Sequence, residues 1–518
     1  MTETGTQQAD VIVVGGGGSG LAAAIEAARL GRSVILLEKN ESLGGTTGRS
    51  VGSITSSCTS FQAEAGIFDT PREHFEDMAL FARKVGLDPD TKDNLELRRI
   101  LVENAPDTLN WLTDMGIVFF GPMPEPPHRV PRMHNILPNS RSYIYHLARR
   151  ARRLGVEVRL DARARELLRD GERVTGVAAE IDGRSREFSA RLGVVLACGD
   201  YSSGQEMKAE FGNPDFALVE GINETSTGDG QRLGLSAGGR IVNGDVMLGP
   251  EIRFVAPPRK GLIEAIPPIR PVGLFMRFAL AHMPAWLLRP FLMMFVTTHL
   301  APSHKLFEEG AILVNKAGER FVDESDGPQF AIPRQPDRIA FIVMDDAVGR
   351  KFEAWPYFIS TAPGVAYAYL PDYRRNRKDI YASGGSIQEL AGKIGVPAET
   401  LRRTIDSHNA ALPEGRPPIG KPPFHALGPA KSWIVLTDGG LKINRRFEVL
   451  ANDDRPIPGL YAAGSNGQGG VLLEGHGHHL GWALISGRLA GRSVGFGAWT
   501  DRRAEELTAD SVPESMAG

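Results

Sequence analysis

Sulfur offers this chain little. Cys58 and Cys198 are its only cysteines in 518 residues, far apart and without a CxxC partner. That argues against a cysteine-built zinc or iron–sulfur centre, so no metal is expected, and it predicts a reducing, cytoplasmic setting. Charge of one sign is also lacking, with 59 Lys and Arg against 62 Asp and Glu, and aromatics make up only 7%. Without a basic tail or base-stacking aromatics among cations there is no case for nucleic acid as a partner. No uninterrupted apolar run approaches the roughly 20 residues of a membrane span. Met1–Ala9 is polar with no apolar core, which predicts an unstructured lead-in rather than a secretory leader. The tail Asp501–Gly518, charged and rich in small residues, is expected to be poorly ordered as well. The length between suffices for two or three domains.

Glycine, by contrast, is plentiful. An apolar run, Val11–Val14, meets Gly15, Gly17 and Gly20 in GxGxxG spacing, and the small-residue helix Leu21–Leu30 follows, ended by Gly31. A second apolar run, Val34–Leu37, then delivers Glu38 about 20 residues past the fingerprint, where a carboxylate accepts hydrogen bonds from a ribose. The first glycine allows a tight turn, the second lets backbone approach a pyrophosphate, and the third lets helix pack on strand. The helix N-terminus offers its unpaired N–H groups to the phosphates. This pattern predicts dinucleotide binding. Next comes LGGTTGRSVGSITSS, Leu43–Ser57, a loop of glycines and hydroxyl residues. It can bring backbone and the hydroxyls of Thr46, Thr47 and Ser50 against a phosphate or a flavin ring.

Helical periodicity marks Pro71–Val85 and Asn94–Met115, and Arg141–Leu154 reads as a basic helix. Phe119–Pro138, with many prolines and with His128, Arg129, Arg132 and His134, reads as an irregular segment. Val156–Leu160, Val174–Glu180 and Phe188–Leu196 read as strands, the last running into ACGDYSSG at Ala197–Gly204.

Several of these pieces recur together in one family. They are the fingerprint with Glu38, the GGTT loop, the strand ending in ACGDY, STGDG at Ser226–Gly230, LVNKAGERFVDE at Leu313–Glu324, and GGLKINRRFEVL leading to IPGLYAAG at Gly439–Gly464. In that order they make the chain resemble the fumarate reductase and 3-ketosteroid dehydrogenase superfamily of FAD flavoproteins, from Asp10 to about Arg492. The resemblance implies an α/β fold whose Rossmann-like FAD domain, of the glutathione-reductase type, is discontinuous over residues 1–243 and 432–500. An inserted α+β capping domain would occupy 244–431 and a tail 501–518, with substrate held between cap and isoalloxazine. In the cap, strands are expected at Ala311–Val314 and Ile339–Met344, and helices at Ser386–Ile394 and Ala398–Leu412.

The resemblance also implies which residues hold FAD: Gly15, Gly17, Gly18, Ser19, Gly20, Glu38, Lys39, Gly45, Thr46, Thr47, Gly52, Ser53, Ala164, Gly199, Asp229, Gly464, Ala483 and Leu484. Thr46 and Thr47 occupy the neighbourhood where some members carry a covalent histidine, so FAD is expected to be bound noncovalently.

Enzymes of this family move a hydride between a substrate carbon and flavin while a side chain handles the proton. Those resembling fumarate reductases hold a dicarboxylate with arginines and histidines. Here Val435 and Leu436 stand where their paired histidines precede the late GG, and Glu324 is followed by Ser325, Asp326 and Gly327 in place of an arginine. GHGHHLGWA, Gly475–Ala483, replaces the ANRLGGNA-type arginine. A small dianion would lack adequate counter-charge. LEGHGHHLGWA matches better the GxG spacing by which ketosteroid dehydrogenases aim a backbone N–H at a substrate carbonyl, with Gly475 and Gly477 as the two glycines. The tyrosine expected near Leu473 is absent. The candidates for proton transfer are His476, His478 and His479 in this loop, beside Gly477, and Tyr367 and Tyr369 in APGVAYAYLPDY. Glu324 reads either as a proton relay or as the partner of a nearby arginine.

Residues 251–302 are the least family-like. GLFMRFALAHMPAWLLRPFLMMFV is broken by Pro284 and Pro290, and Arg253, Arg259, Lys260, Arg270, Arg277 and Arg289 outnumber Glu251 and Glu264. The segment reads as lying in a membrane interface, giving a peripheral contact, or as a buried cap helix or oligomer contact. The function expected is that of an FAD-dependent oxidoreductase acting on a CH–CH or C=C bond beside a carbonyl in a bulky apolar, steroid-like substrate. The alternatives are a fumarate-reductase-like enoate or dicarboxylate reductase, and a flavin-binding redox sensor without turnover. No haem or iron–sulfur motif is present, so electrons are expected to pass to or from an external partner.

Overall fold

Val11 to Val14 bury their side chains on both faces of strand Gln7–Val14, as strands inside a parallel sheet do. That strand pairs in parallel with Val34–Leu37 on one side and Arg184–Leu196 on the other. Glu157–Arg159 and Pro456–Ala462 extend the sheet outward, Glu448–Leu450 pairs antiparallel with the latter, and antiparallel strands Arg163–Asp170 and Arg173–Ile181 join it, giving eight strands in all. Helix Gly18–Arg29 lies against the last described helix, His478–Phe496. A side chain at Gly487 or Gly491 would come within 2.3 Å of the carbonyl of Ser19 or Ala23, so small residues let the two backbones touch. The fold is thus α/β, a Rossmann-like FAD domain built from both ends of the chain.

The computed structural model describes residues 7–257, 265–362, 366–412 and 417–497. Asp501–Gly518, Arg259, Lys260 and Glu264 lie outside the described residues, as does most of the lead-in. Gln7–Ala9, expected in that lead-in, instead belong to the first strand, where they pair with Phe188–Ala190. The fingerprint helix starts at Gly18 rather than Leu21, with Gly17 as its extended N-cap. Phe119–Pro138 is not irregular. Strands Val118–Met123 and Met133–Leu137 pair antiparallel, and with Ser53–Thr55 they form a three-stranded sheet. The prolines hid this because Pro122 sits at a break in register, Pro138 follows the second strand, and the others lie in the connecting turn.

A second, six-stranded sheet is organised around Phe424–Ile434, which pairs with Glu220–Gly221, Glu251–Phe254, Ala340–Met344 and Tyr381–Gly384; Ile312–Val314 lies beyond Ala340–Met344. Leu390, Leu401 and Ile405 from helices Ile387–Ile394 and Ala398–Ala410 pack in one of its cores. Met293, Val296, Leu370 and Tyr373 pack in the other. The sheet begins at Glu220, ahead of the expected limit at 244. Two short ladders carry the chain between the sheets: Ile241–Val242 with Gly440–Leu441, and Met247–Leu248 with Leu436–Thr437.

The basic apolar segment folds as two helices, Arg270–His282 and Ala285–His299. Among the described residues no helix is long and apolar enough to cross a membrane. Arg289, expected to face lipid, instead makes a two-pronged pair with Asp372 at 2.7 and 2.8 Å, because its helix packs on the cap at Leu370–Asn376. Buried Arg377 fastens the same helix to the sheet by donating to the carbonyls of Thr297 (3.0 Å) and Val255 (2.6 Å). Arg377→Met leaves those acceptors unsatisfied. It is expected to cost about 2–4 kcal/mol, read as a lower urea midpoint at unchanged slope.

Candidate active site

At the C-terminal ends of strands Gln7–Val14 and Val34–Leu37, in front of the fingerprint helix, lies an open groove of about 810 Å³. Gly15 takes a left-handed turn (φ +109°) that only glycine adopts comfortably. A Cβ on Gly17 would meet nothing nearer than 3.9 Å, so this residue opens the floor of the groove. One on Gly20 would come within 1.8 Å of the Gly15 carbonyl, so that glycine serves helix-on-strand packing. Glu38 is held rigid: one carboxylate oxygen accepts from Gly16 N–H (2.7 Å), the other from the backbone and side-chain amides of Asn40 (2.9 and 2.6 Å). The oxygen bonded to Gly16 alone keeps acceptor capacity for a ribose hydroxyl. The cradle therefore fits a dinucleotide.

Gly15, Gly17, Gly18, Ser19, Glu38, Lys39, Gly45, Thr46, Thr47, Ala164, Gly199, Asp229 and Ala483 all line this groove. Thr47 accepts from Gly18 N–H at 3.1 Å, and Thr46 from the Asn223 amide at 2.9 Å. The Asp229 carboxylate is braced by Lys39 (3.0 Å) and Arg163 (2.9 Å). Five expected residues do not line it and sit one layer behind. Gly20 packs on the strand. The Gly52 carbonyl accepts from Tyr143 (3.0 Å) and Ser53 donates to Asn135 (2.6 Å), both in the three-stranded sheet. Gly464 N–H donates to Ser486 (2.8 Å), and Leu484 is core. The sequence reading missed Asn40, Arg163, Asp200, Asn223, Ser226 and Leu436, which do line the groove. Asn223 and Ser226 border the STGDG motif, whose run of polar residues could have pointed to them.

The three loop histidines point three ways. His476 pairs with Glu125, which pushes its imidazole pKa up, and its carbonyl accepts from Thr55 (2.6 Å). His478 is turned inward, not toward the groove: Nδ1 donates to the Glu474 carbonyl (2.6 Å) and Nε2 lies 3.1 Å from His74 Nε2. Burial pushes it down to about 4. His479 faces Asp438, its Nε2 3.4 Å from Oδ1. Asp438 is wholly buried with no hydrogen bond to either carboxylate oxygen, and burial pushes it up to about 7. Glu474 rises to about 7 through burial and the nearby Asp438. These two acids were not singled out from the sequence, where a carboxylate beside a glycine turn has no distinguishing spacing.

The cluster abuts the groove, since Asp438 lies two residues beyond Leu436, and His479 one helical turn before Ala483. Among the described contacts, nothing brings the cap tyrosines to this loop. Tyr367 packs against Trp355 and Phe358 at 5.1 and 5.2 Å, and Tyr369 caps the helix Leu370–Asn376. Glu324 accepts from Leu313 N–H (2.8 Å) and Arg320 (2.6 Å), so it has the arginine partner that one of its two readings called for.

Fingerprint, rigid carboxylate and groove define a flavoprotein of the dinucleotide-binding class. The sequence matches the FAD binding domain family over residues 10–266 and 273–472, and the protein belongs to that family, with FAD as its cofactor. It is 29% identical over 477 residues to an NADH:fumarate oxidoreductase of Klebsiella pneumoniae (strain 342), a match that covers 88% of this chain and 44% of that one. The chain thus spans less than half of that relative's length. A flavocytochrome c3 fumarate reductase in its open conformation shares the fold, with TM-score 0.70 and 23% identity over 95% of this chain and 78% of the other. So does a 3-ketosteroid-Δ4-(5α)-dehydrogenase of Rhodococcus jostii RHA1, with TM-score 0.58 and 24% identity over 95% and 98%.

Gly17 and Gly20 should separate in experiment. Gly17→Val is expected to fold with a native circular dichroism spectrum yet purify without flavin absorbance, because its side chain fills only cofactor space. Gly20→Val is expected to lower the thermal midpoint whether or not FAD is present. Acid precipitation of the native protein should leave the flavin in the supernatant; colour in the pellet would mean a covalent link.

Proposed function

We propose that the protein is an FAD-dependent oxidoreductase acting on a carbon–carbon single or double bond next to a carbonyl in a bulky apolar, steroid-like substrate. The observation that carries this is the cluster of two buried acids, Asp438 and Glu474, with half-buried His479, close in the chain to Leu436 and Ala483 of the cofactor groove. Bound FAD supplies hydride exchange with a substrate carbon. The neighbouring carbon then needs a proton donor, or an acceptor in the reverse direction, that titrates near neutrality, and two carboxyls held at about 7 meet that need. The 3.4 Å approach of His479 Nε2 to Asp438 Oδ1 supports a role for that imidazole in passing the proton on. Gly477, at the N-cap of the last helix, puts that helix's positive end at the loop, where it favours an enolate oxygen.

Charge supports an apolar substrate over a dicarboxylate. Arg132 and Arg253, whose charges reach His478 and His476, already have carboxylate partners, Arg132 with Asp69 and Asp77 and Arg253 with Glu251, and Arg129 pairs with Asp77 and Glu76. A dianion would have to compete for them. A fumarate-type enoate reductase is the second reading, favoured by the likeness to the Klebsiella pneumoniae enzyme. Electrons would come from or go to an external partner in either case.

An anaerobic titration of the dithionite-reduced protein with 3-keto-4-ene steroids, monocarboxylic enoates and fumarate decides between them. The enone is expected to reoxidise the flavin fastest; faster reoxidation by fumarate would reject the apolar reading, and no reoxidation by any would favour a redox sensor. Asp438→Asn and His479→Gln are expected to slow turnover by roughly 10²–10⁴-fold with FAD content intact. In the reductive direction the rate should fall as pH rises through about 7, where the carboxyls lose the proton to be donated. A flat profile across that range would remove them from the mechanism.

We also propose that the helical pair Arg270–His282 and Ala285–His299 rests on a membrane surface. Phe275, Phe278 and Trp286 are 69%, 61% and 72% exposed, and exposed Arg277 lies between the phenylalanines to meet anionic headgroups. The protein should co-sediment with phosphatidylserine vesicles at low salt, and Phe275→Glu with Trp286→Glu should abolish this. Equal sedimentation of that variant would refute the contact.

A further inference from the structure

Three histidines from distant parts of the sequence meet inside the FAD-binding part: His74 on helix Pro71–Lys84, His128 in the turn before strand Met133–Leu137, and His478 at the start of the last helix. All are buried, and their ring centres form a nearly equilateral triangle with sides of 5.4, 5.3 and 5.4 Å. One ring nitrogen from each lies within 4.8 Å of the other two. We propose that this trio binds one zinc-class divalent cation.

A tetrahedral zinc ion with bonds of about 2.0–2.1 Å holds its nitrogen ligands about 3.3 Å apart. His74 Nε2 and His478 Nε2, 3.1 Å apart, already have that spacing. His128 has to close in by at most about 1.5 Å to complete it. Its Nε2 is buried without a hydrogen-bond partner, as is His74 Nδ1. Three imidazoles without a carboxylate among them suit zinc or cobalt and not magnesium or calcium. Water takes the fourth position.

The outer contacts of His478 and His128 bear on ligation as well, whereas His74 Nδ1, which carries that ring's proton on ligation through Nε2, has no acceptor in place and needs one from a water or a shifted side chain. His478 Nδ1 donates to the Glu474 carbonyl at 2.6 Å, which leaves the Nε2 lone pair facing the trio. Arg132, which can only donate, lies 2.9 Å from His128 Nδ1, so without metal His128 carries its proton on Nε2. Ligation through Nε2 moves that proton to Nδ1, so Arg132 Nη1 has to withdraw from it and the Asp77 carboxylate, now 3.9 Å away, has to close in by about 1 Å to accept it. Arg132 keeps its two bonds to Asp69 at 2.7 and 2.6 Å. Asp69 and Asp77 together also offset the arginine's charge, so the cation does not meet an unopposed positive group. Phe81 covers the trio, its ring 4.6 Å from that of His128 and 5.8 Å from that of His478.

The site is independent of the substrate and can be tested without turnover. The full-length, FAD-loaded protein is freed of metal with a chelator, desalted and titrated with Co²⁺. One equivalent should bind, with absorption bands of tetrahedral cobalt beyond the flavin spectrum, displaced by one equivalent of Zn²⁺ and accompanied by a higher thermal midpoint. His74→Gln and His128→Gln should lose the bands while keeping FAD. Failure of the native protein to take up stoichiometric Co²⁺ or Zn²⁺ overturns the proposal, and so does equal uptake by both variants. Should a variant not fold, the native titration decides alone.

Discussion

Everything about the groove depends on how closely the first and last helices approach. Gly487 and Gly491 leave no atom between their backbone and that of Ser19 and Ala23, and Ala22 to Ala24 keep the facing helix narrow. Ridge-into-groove packing with larger residues would hold the axes at about 8–10 Å. The tight contact sets Ala483 beside the fingerprint turn, and one turn earlier it sets His479 at the groove's end. A chain that leaves the FAD domain and returns much later is thereby locked into one body by residues that have almost no side chain.

Most of the FAD domain could be read from the sequence because its signals are local. The GxGxxG turn, the apolar strands on either side and Glu38 each obey a short-range rule, and the structure brings them together at the C-terminal ends of two neighbouring parallel strands. Strand Met133–Leu137 obeys no such rule: its partner Val118–Met123 breaks register at Pro122, and the prolines of the turn dominate the composition. Side-chain direction was equally hidden. His478 and His479 are adjacent, yet helical geometry sends one into the interior with His74 and the other toward Asp438. The raised pKa values of Asp438 and Glu474 come from burial by segments far away in the chain, which no spacing encodes. Family resemblance drew attention to the loop Gly475–His479 but not to these acids.

Two uncompensated carboxyls in an interior are a cost that packing elsewhere must offset. The surroundings of the groove show the contrasting solution, in which Asp229 shares Lys39 and Arg163, and Glu26 meets Arg29 and Arg492. Asp438 has no such cation; His479 approaches it, and burial pushes that imidazole down too. Neutral forms of both are what the surroundings favour, which keeps a mobile proton in the cluster.

The two short ladders between the sheets carry a mechanical consequence. Met247–Leu248 pairs with Leu436–Thr437, so the outgoing and returning strands of the cap form a double strap, and Asp438 is the next residue along it. A tilt of the second sheet away from the first has to bend that strap. The place of Asp438 is therefore geared to the angle between the two sheets, and any tilt of the second sheet is passed along the strap to the carboxyl proposed as the acid.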